Sequence, residues 1–432
     1  MAVSLPQLAE FRLEFPGNGL VHIVFDAPGR TMNVFSEAAI VEIGRIAGWL
    51  ADADVKGALI RSGKTSGFCA GADLPEIWAA YDTILATPAH KRFNAAFDHF
   101  FRLSLALRAL ETCGKPVAAA VAGLALGGGG ELALASHYRV LTDDKYAAIG
   151  LPESLVGLLP GAGGTQRLPR LIGVEAAMPL LLEGGRLKGE AAVQAGLAHA
   201  LVKSGEEIAA AEAWLLSAPS PVQPWDREDW IAPSPTEVSA SQAPFRRQVL
   251  QSSLGHYPAL FAILDCVEFG LPQSFDGGMR SEMTSFAHLV LRPEPRAMIQ
   301  TMFLGRVDYE RLERRQQLPE IAAATVAGVR EILDGAKADA DALAAAGFAG
   351  QGSAEPVRSR ARKGLWIESD DARAQRALAV VRRIGQATAR LAEGGSKEDL
   401  RVADYAAVRQ AGYPAYLGGP HAFVVANAAR DG

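Results

Sequence analysis

Apolar positions along the N-terminal part of the chain switch repeatedly between two periods. LVHIVFD (20–26) is a short, almost continuous apolar run of strand type. SEAAIVEIGRIAGWLAD (36–52) then repeats its apolar residues at helical spacing behind Ser36, a residue that favours the N-cap. KGALIRSG (56–63) reads as a second strand with a polar end. KRFNAAFDHFFRLSLALRALET (91–112) reads as a long helix, and KPVAAAVAG (115–123) as a strand of small residues. After a run of glycines, ELALAS reads as a buried helix and HYRVLTD (137–143) as a strand. Alternating strands and helices predict a layered α/β domain.

From Thr165 to about Ser217 the pattern is helical, punctuated at Gly173, Gly184, Gly185 and Gly196. Residues 217–244 are rich in Pro and Ser and read as an ordered-to-loose linker. FRRQVLQSSLGHYPALFAILDCVEFG, SEMTSFAHLVL and RAMIQTMFLG beyond it predict two or three packed helices. Ala-rich helix follows from IAAATVAGVREIL onward, interrupted by the basic stretch FAGQGSAEPVRSRARKG (348–364). No internal repeat is evident.

The length of 432 residues suggests two or three domains at roughly 100–200 residues each. A composition of 49% hydrophobic and 21% charged residues is that of a globular enzyme. The formal charge of −5 argues against a nucleic-acid footprint. Cys69, Cys113 and Cys266 form no CxxC and leave an odd count, so neither a disulfide framework nor a structural zinc site is indicated. The first residues lack the basic and apolar regions of a secretory signal. The most apolar run, VAAAVAGLALGGGG, is shorter than the roughly 20 residues of a membrane span. A cytoplasmic location is the expectation.

Two glycine-containing segments imitate nucleotide motifs. RSGKTSG (61–67) ends like a phosphate loop, but Ala58 stands where such a loop needs its first glycine. GAGGTQR (161–167) has Gln166 in place of the third glycine of a dinucleotide fingerprint. No GxSxG elbow and no HExxH occur. LALGGGGELALAS (124–136) is more informative, because Gly127 to Gly130 lie where an apolar strand turns into an apolar helix. Such a corner leaves first-turn amides unsatisfied at the positive end of the helix dipole. It serves either as a tight packing corner or as an oxyanion site. Glu131 follows directly, and a second acid, Glu153, stands in GLPESLVG.

Three segments in the same order, SGFCAGADL (66–74), AVAGLALGGGGELALAS (120–136) and IGLPESLVGLLPGAGGTQRLPRLIG (149–173), closely resemble the crotonase, or enoyl-CoA hydratase/isomerase, family. The resemblance covers about residues 10 to 205. PWDREDW, GHYPALFAILDCVEFG and SEMTSFAHLVLRPEPRAMIQTMFLG are similar to the connecting region of multifunctional fatty-acid oxidation enzymes. AGYPAYLGGPHAF (411–423) resembles the end of their dehydrogenase part. Between Arg306 and Lys363 no GxGxxG follows a strand, so a nicotinamide-binding domain is not expected. The implied organisation is a crotonase-like ββα spiral core at 1–205, a helical and Pro/Ser-rich connecting region at 206–305, and a helical domain at 306–432 resembling a dehydrogenase remnant.

The resemblance implies an enoyl-CoA hydratase, with Δ3-Δ2 isomerisation as an alternative. A non-catalytic acyl-CoA-binding or assembly subunit is the reading from a different class. It implies Glu131 as general base and Glu153 as proton donor, with the amides of Ala70 and Gly128 as the oxyanion hole. Arg30, Ala72 and Asp73 are grouped with the substrate and coenzyme A site. Asp73 chiefly caps a helix starting at Leu74 or Pro75, and Arg30 meets a phosphate or stays a solvated loop residue. Asn33 is expected in a turn and His137 in a structural role, while Gln166 and Arg167 lock the loop after Glu153. Trp78, Tyr81, Phe93 and Phe97 are expected in the acyl-pocket wall. No metal and no NAD are expected, coenzyme A arrives as part of the substrate, and a homo-oligomer or a thiolase is the expected partner.

Overall fold

The structure, a computed structural model, describes residues 4–351 and 371–428. Residues 352–364 of the basic stretch read above lie outside the described residues. The described residues divide into two compact units. One comprises the described residues of 1–244 and 262–291, the other those of 245–261 and 292–432.

The first unit is mixed α/β. Strands β1 (Phe11–Glu14), β2 (Leu20–Phe25), β3 (Gly57–Ser62), β4 (Val117–Val121), β6 (Tyr138–Thr142) and β9 (Ala200–Val202) form one sheet in the order β1-β2-β3-β4-β6-β9. Only β1 runs antiparallel to its neighbour; the other pairs are parallel. Parallel strands are covered on both faces, which is why LVHIVF and VAAAV are buried at every position. On one face, Leu20, Leu59, Ala118, Ala120 and Val140 pack against Ala211 and Leu215 of helix Glu207–Leu216.

A second small sheet joins β5 (Leu124–Leu126), β7 (Ala148–Gly150) and β8 (Arg186–Leu187). Each strand of its parallel pair follows a strand of the large sheet, so the chain proceeds in strand-strand-helix units. β4 and β5 lead into helix α4 (Gly128–Ala135), while β6 and β7 lead to helix α5 (Gly164–Ile172); helices α1 (Glu37–Asp52), α2 (Leu74–Ala86) and α3 (Arg92–Glu111) precede them. Gly123 makes the turn between the sheets at φ +95°, where a Cβ would lie 2.7 Å from the Gly67 Cα. This is the ββα core that the sequence implies. Because Leu126 pairs with Gly150, the residues just beyond the two strands, Gly127 and Leu151, emerge side by side. That register brings Glu153 to the glycine corner.

The helix expected behind Ser36 is present, with the Ser36 hydroxyl accepting the Ala39 N–H at 3.1 Å. The linker reading of 217–244 holds only in part, since helix Pro235–Ser253 begins inside it. Proline suits the first turn, and Ser234 with Glu237 forms a reciprocal cap: the Glu237 carboxylate accepts the Ser234 N–H at 2.8 Å and the Ser234 hydroxyl accepts the Glu237 N–H at 3.3 Å.

The second unit is built from helices, including Arg306–Arg314, Glu320–Gly335, Ala372–Leu391, Lys397–Ala411 and Pro420–Ala428, around a core containing Val329, Leu343, Val381, Ile384 and Val402. Among the described residues no helix is long and apolar enough to cross a membrane.

Candidate active site

The loop after β3 is tied down by one buried asparagine. Asn33 accepts the Ala27 N–H through its side-chain oxygen at 3.0 Å, and its amide nitrogen donates to the Phe25 carbonyl at 2.8 Å and the Phe68 carbonyl at 3.1 Å. It is therefore a cross-link beneath the loop rather than a simple turn residue. Its own carbonyl accepts the Ala70 N–H at 2.9 Å. This corrects the oxyanion assignment made from the sequence, because a backbone N–H already bonded within the fold has no hydrogen left for a ligand.

The free donor lies two residues on. Phe35 donates to the Gly71 carbonyl at 2.7 Å and accepts the Asp73 N–H at 3.0 Å, so the intervening Ala72 turns its peptide groups to the opposite side. The Ala72 N–H has no acceptor among the described residues. Gly71, at φ +104°, lets this loop approach the glycine corner: a Cβ there would lie 3.2 Å from the Leu126 carbonyl oxygen and 3.7 Å from the Gly128 nitrogen. Gly128 opens α4, and its N–H has no partner within the helix. Ala72, expected at the substrate site, thus supplies the free N–H that Ala70 lacks, beside the free N–H of Gly128.

The remaining glycines of the run answer to space. A Cβ on Gly129 would lie 2.4 Å from the Cys69 carbonyl oxygen, and one on Gly130 2.7 Å from the Gly150 carbonyl oxygen. Backbone cannot yield as a flexible side chain can. Gly129→Ala is expected to destabilise the protein by about 1–3 kcal/mol, read as a lowered denaturation midpoint; an unchanged midpoint would show that this packing is looser than drawn.

Glu131, in α4, is buried, and its Oε1 accepts the N–H groups of Ala162 at 2.7 Å and Gly164 at 2.9 Å. Glu153 opens a short turn, Glu153–Val156. Its Oε1 lies 2.8 Å from where Gly127 would carry a Cβ, and its Oε2 is buried without a hydrogen-bond partner. The two carboxyl groups therefore meet at the corner between β5 and β7. Burial raises Glu131 to about 7, opposed by the amides of Ala162 and Gly164 and by the Arg167 charge. Burial raises Glu153 further, and the charge of Glu131 adds to it. Both carboxyls are thus raised by burial, and the charge of Glu131 further favours the protonated form of Glu153; unequal surroundings of this kind are what separate the proton affinities of neighbouring carboxyls.

The loop between them is locked as the sequence suggests. Arg167 and Glu111 are both fully buried and pair through two contacts of 3.1 and 3.0 Å, and Arg167 also donates to the Ala162 carbonyl at 2.8 Å. Gln166 donates to the Thr165 hydroxyl at 3.0 Å and the Cys266 carbonyl at 2.9 Å. His137 is buried within the sheet, its Nδ1 accepting the Val117 N–H at 3.0 Å, in keeping with a structural role.

Asp73 caps α2 by accepting the Glu76 N–H at 3.2 Å, and it pairs with Arg30, whose side chain stays 41% exposed. Asp73 is thus occupied by the fold, and Arg30 keeps a solvent-facing side available to an anion. Tyr81 is buried near Phe100, and Phe93, Phe97 and Phe101 follow one another along α3 with ring centroids 6.2 and 5.1 Å apart. Phe100 also meets Phe286 at 5.1 Å, and Phe286 fills the space beside Gly161.

One buried acid escaped the sequence reading. Glu282, in helix Phe275–Val290, accepts the N–H groups of Gly163 at 2.7 Å and Thr165 at 3.0 Å and the Thr165 hydroxyl at 2.5 Å. The available signal was its position, an acid on the apolar face that carries Met279, Met283 and Phe286.

Residues 16–218 match the family model described as Enoyl-CoA hydratase/isomerase. The chain is 36% identical over 299 residues to the fatty acid oxidation complex subunit alpha of Shewanella frigidimarina, a match covering 68% of this chain and 40% of that protein. It is 34% identical over 298 residues to the corresponding subunit of Idiomarina loihiensis, with the same coverage of 68% and 40%. The chain therefore spans 40% of the length of these curated relatives. Among solved structures, an enoyl-CoA hydratase from Bacillus halodurans aligns with a TM-score of 0.48 at 18% identity, over 67% of this chain and 99% of that one. The ββα core, the glycine corner and the two acids at its rim all fall within the matched residues, and there the chain belongs to the enoyl-CoA hydratase/isomerase family.

Proposed function

We propose that this protein adds water across the 2,3 double bond of an enoyl-CoA thioester of fatty-acid type. The observation that carries the proposal is the meeting of two unpaired backbone donors, Ala72 and Gly128, with a buried pair of carboxyls of unequal proton affinity, Glu131 and Glu153. A binding module has use for the donors but none for the pair.

Attack of water at C3 shifts electrons onto the thioester oxygen, and the amides of Ala72 and Gly128 stabilise that charge. One such donor contributes about 3–4 kcal/mol to lowering a barrier of this kind. Glu131 takes a proton from the water as its oxygen bonds to C3. Glu153 gives its proton to C2 as the enolate collapses. The sum is one water added with no change of oxidation level, so the step itself calls for no nicotinamide. Arg30 meets a phosphate of coenzyme A, and the aromatic residues of α2 and α3 flank the acyl chain.

The unpartnered Oε2 of Glu153 also supports Δ3-to-Δ2 isomerisation as a second activity, because a carboxyl oxygen free of hydrogen bonds can take a proton from C2 and return it to C4. Glu131→Gln is then expected to spare isomerisation and Glu153→Gln to abolish it.

The pH profile tests the division of labour. Glu131 acts as base only when ionised, so kcat/KM for hydration is expected to fall as pH drops through about 7. The alkaline limb, set by loss of the Glu153 proton, is expected at higher pH. A profile flat through neutrality would remove Glu131 from the role of base.

A further inference from the structure

The start of α5 presents four successive N–H groups, and two carboxylates from different helices take them alternately. Ala162 and Gly164 donate to Glu131, at 2.7 and 2.9 Å, while Gly163 and Thr165 donate to Glu282, at 2.7 and 3.0 Å. First-turn amides lack helical partners, so each carboxylate satisfies two of them from opposite sides. The peptide groups that orient Glu131 are thereby the same ones whose other faces Glu282 fixes. Gly163, at φ +91°, and Gly164 give this stretch little stiffness of its own.

We infer that Glu282 is a positioning residue for the proposed hydration: by holding the Gly163 and Thr165 amides it sets the Ala162 and Gly164 amides that aim the Glu131 carboxylate. The inference rests on the hydratase reading for its kinetic consequences and on the hydrogen bonds alone for its structural ones. It places part of the catalytic support outside residues 16–218, the span that matches the family model. Helix Phe275–Val290 is also anchored at its start, where the Phe275 ring lies 4.8 Å from the Arg108 guanidinium and 5.0 Å from that of Arg167.

The surroundings of Glu282 define what its charge does. Glu131 on α4 faces it as a like charge and the protonated Glu153 beyond β7 feels its charge, Arg167 and Arg170 on α5 and Glu111 on α3 lie on the side of the buried ion pair, and the Cys266 thiol is close enough to be raised by it. Burial, with the charge of Glu131, raises Glu282 to about 8. Its negative charge in turn raises Glu153.

Glu282→Gln in the full chain tests the assignment, because the amide keeps the shape but sets an NH2 against the N–H of Gly163 or Thr165. The expected result is a fall in kcat of about tenfold or more with KM changed less than about threefold, as a small misplacement of a catalytic group costs rate rather than binding. Glu153 loses a nearby acid whose negative charge favours its protonated form, so the alkaline limb of the pH profile is expected to move to lower pH. Glu282→Asp, one methylene shorter, should restore the limb while recovering rate only in part. Hydrogen exchange supplies a readout independent of turnover: the Ala162–Thr165 amides should lose protection in Glu282→Gln, with the rest of the unit unchanged. A folded Glu282→Gln with wild-type kcat, pH profile and amide protection would overturn the inference. If the wild type hydrates no enoyl thioester, the hydratase reading fails by itself, and amide protection still decides whether Glu282 holds the loop. Should Glu282→Gln not fold, Thr165→Val carries the same test, with a smaller loss of kcat and protection expected and unchanged values overturning the assignment.

Discussion

Glu131→Gln and Glu153→Gln are each expected to lower kcat for hydration by about 10²–10⁴-fold, the range contributed by a positioned general base or acid. Both amides that hold Glu131 donate to the same oxygen, Oε1, so glutamine can keep these bonds while losing the ability to take a proton. The fold should survive the change. Its melting temperature is expected to be unchanged or raised, because the substitution replaces a buried acid by a neutral group of the same shape. Glu153 makes a still cleaner case, since its Oε2 has no hydrogen bond to lose. Steady-state kinetics of the two variants beside wild type, with thermal melts on the same samples, checks both statements. Full activity in either variant would remove that residue from the mechanism.

Arg167→Met is expected to produce the largest loss of stability, about 3–5 kcal/mol, as for breaking a buried pair at one end. Arg167 and Glu111 are wholly removed from solvent, so the substitution leaves a carboxylate with no water to replace the guanidinium. Arg108, which reaches the same carboxylate at 3.1 Å, offsets part of the loss and favours the lower end of that range. The Ala162 carbonyl also loses its donor, and this peptide is one of those that orient Glu131, so residual folded protein should turn over more slowly. Equilibrium denaturation is the measurement. A loss below about 1 kcal/mol, typical of an exposed pair, would contradict the burial drawn here.

The acids Glu131 and Glu153 were legible because each stands in an unusual local setting, one directly after four glycines and one after a Leu-Pro turn. Gln166 and Arg167 were legible through the segment IGLPESLVGLLPGAGGTQRLPRLIG that carries the family resemblance. Which amide of the loop stays free was not, because Ala70 and Ala72 are chemically alike and the choice between them is made by Phe35 pairing across to Gly71 and Asp73. Periodicity cannot see such a pairing. The strands β5 and β7 carry no periodic signal for a related reason: three residues are too few to establish a period, and glycine flanks β5 and ends β7. Glu282 was hidden because every group it binds belongs to the Gly163–Thr165 stretch, mostly as backbone amides that carry no side-chain signature.

If the pocket around Glu131 and Glu153 hydrates enoyl thioesters, its product records the proton delivered at C2. Incubation of the full chain with trans-2-enoyl-CoA substrates of short, medium and long acyl length, carried out in D2O and followed by loss of enoyl-thioester absorbance and by NMR of the product, tests this hydration most directly. The expected product is a 3-hydroxyacyl-CoA bearing one deuterium at C2, formed by wild type and lost in Glu131→Gln. Unchanged enoyl thioester at every chain length would contradict it.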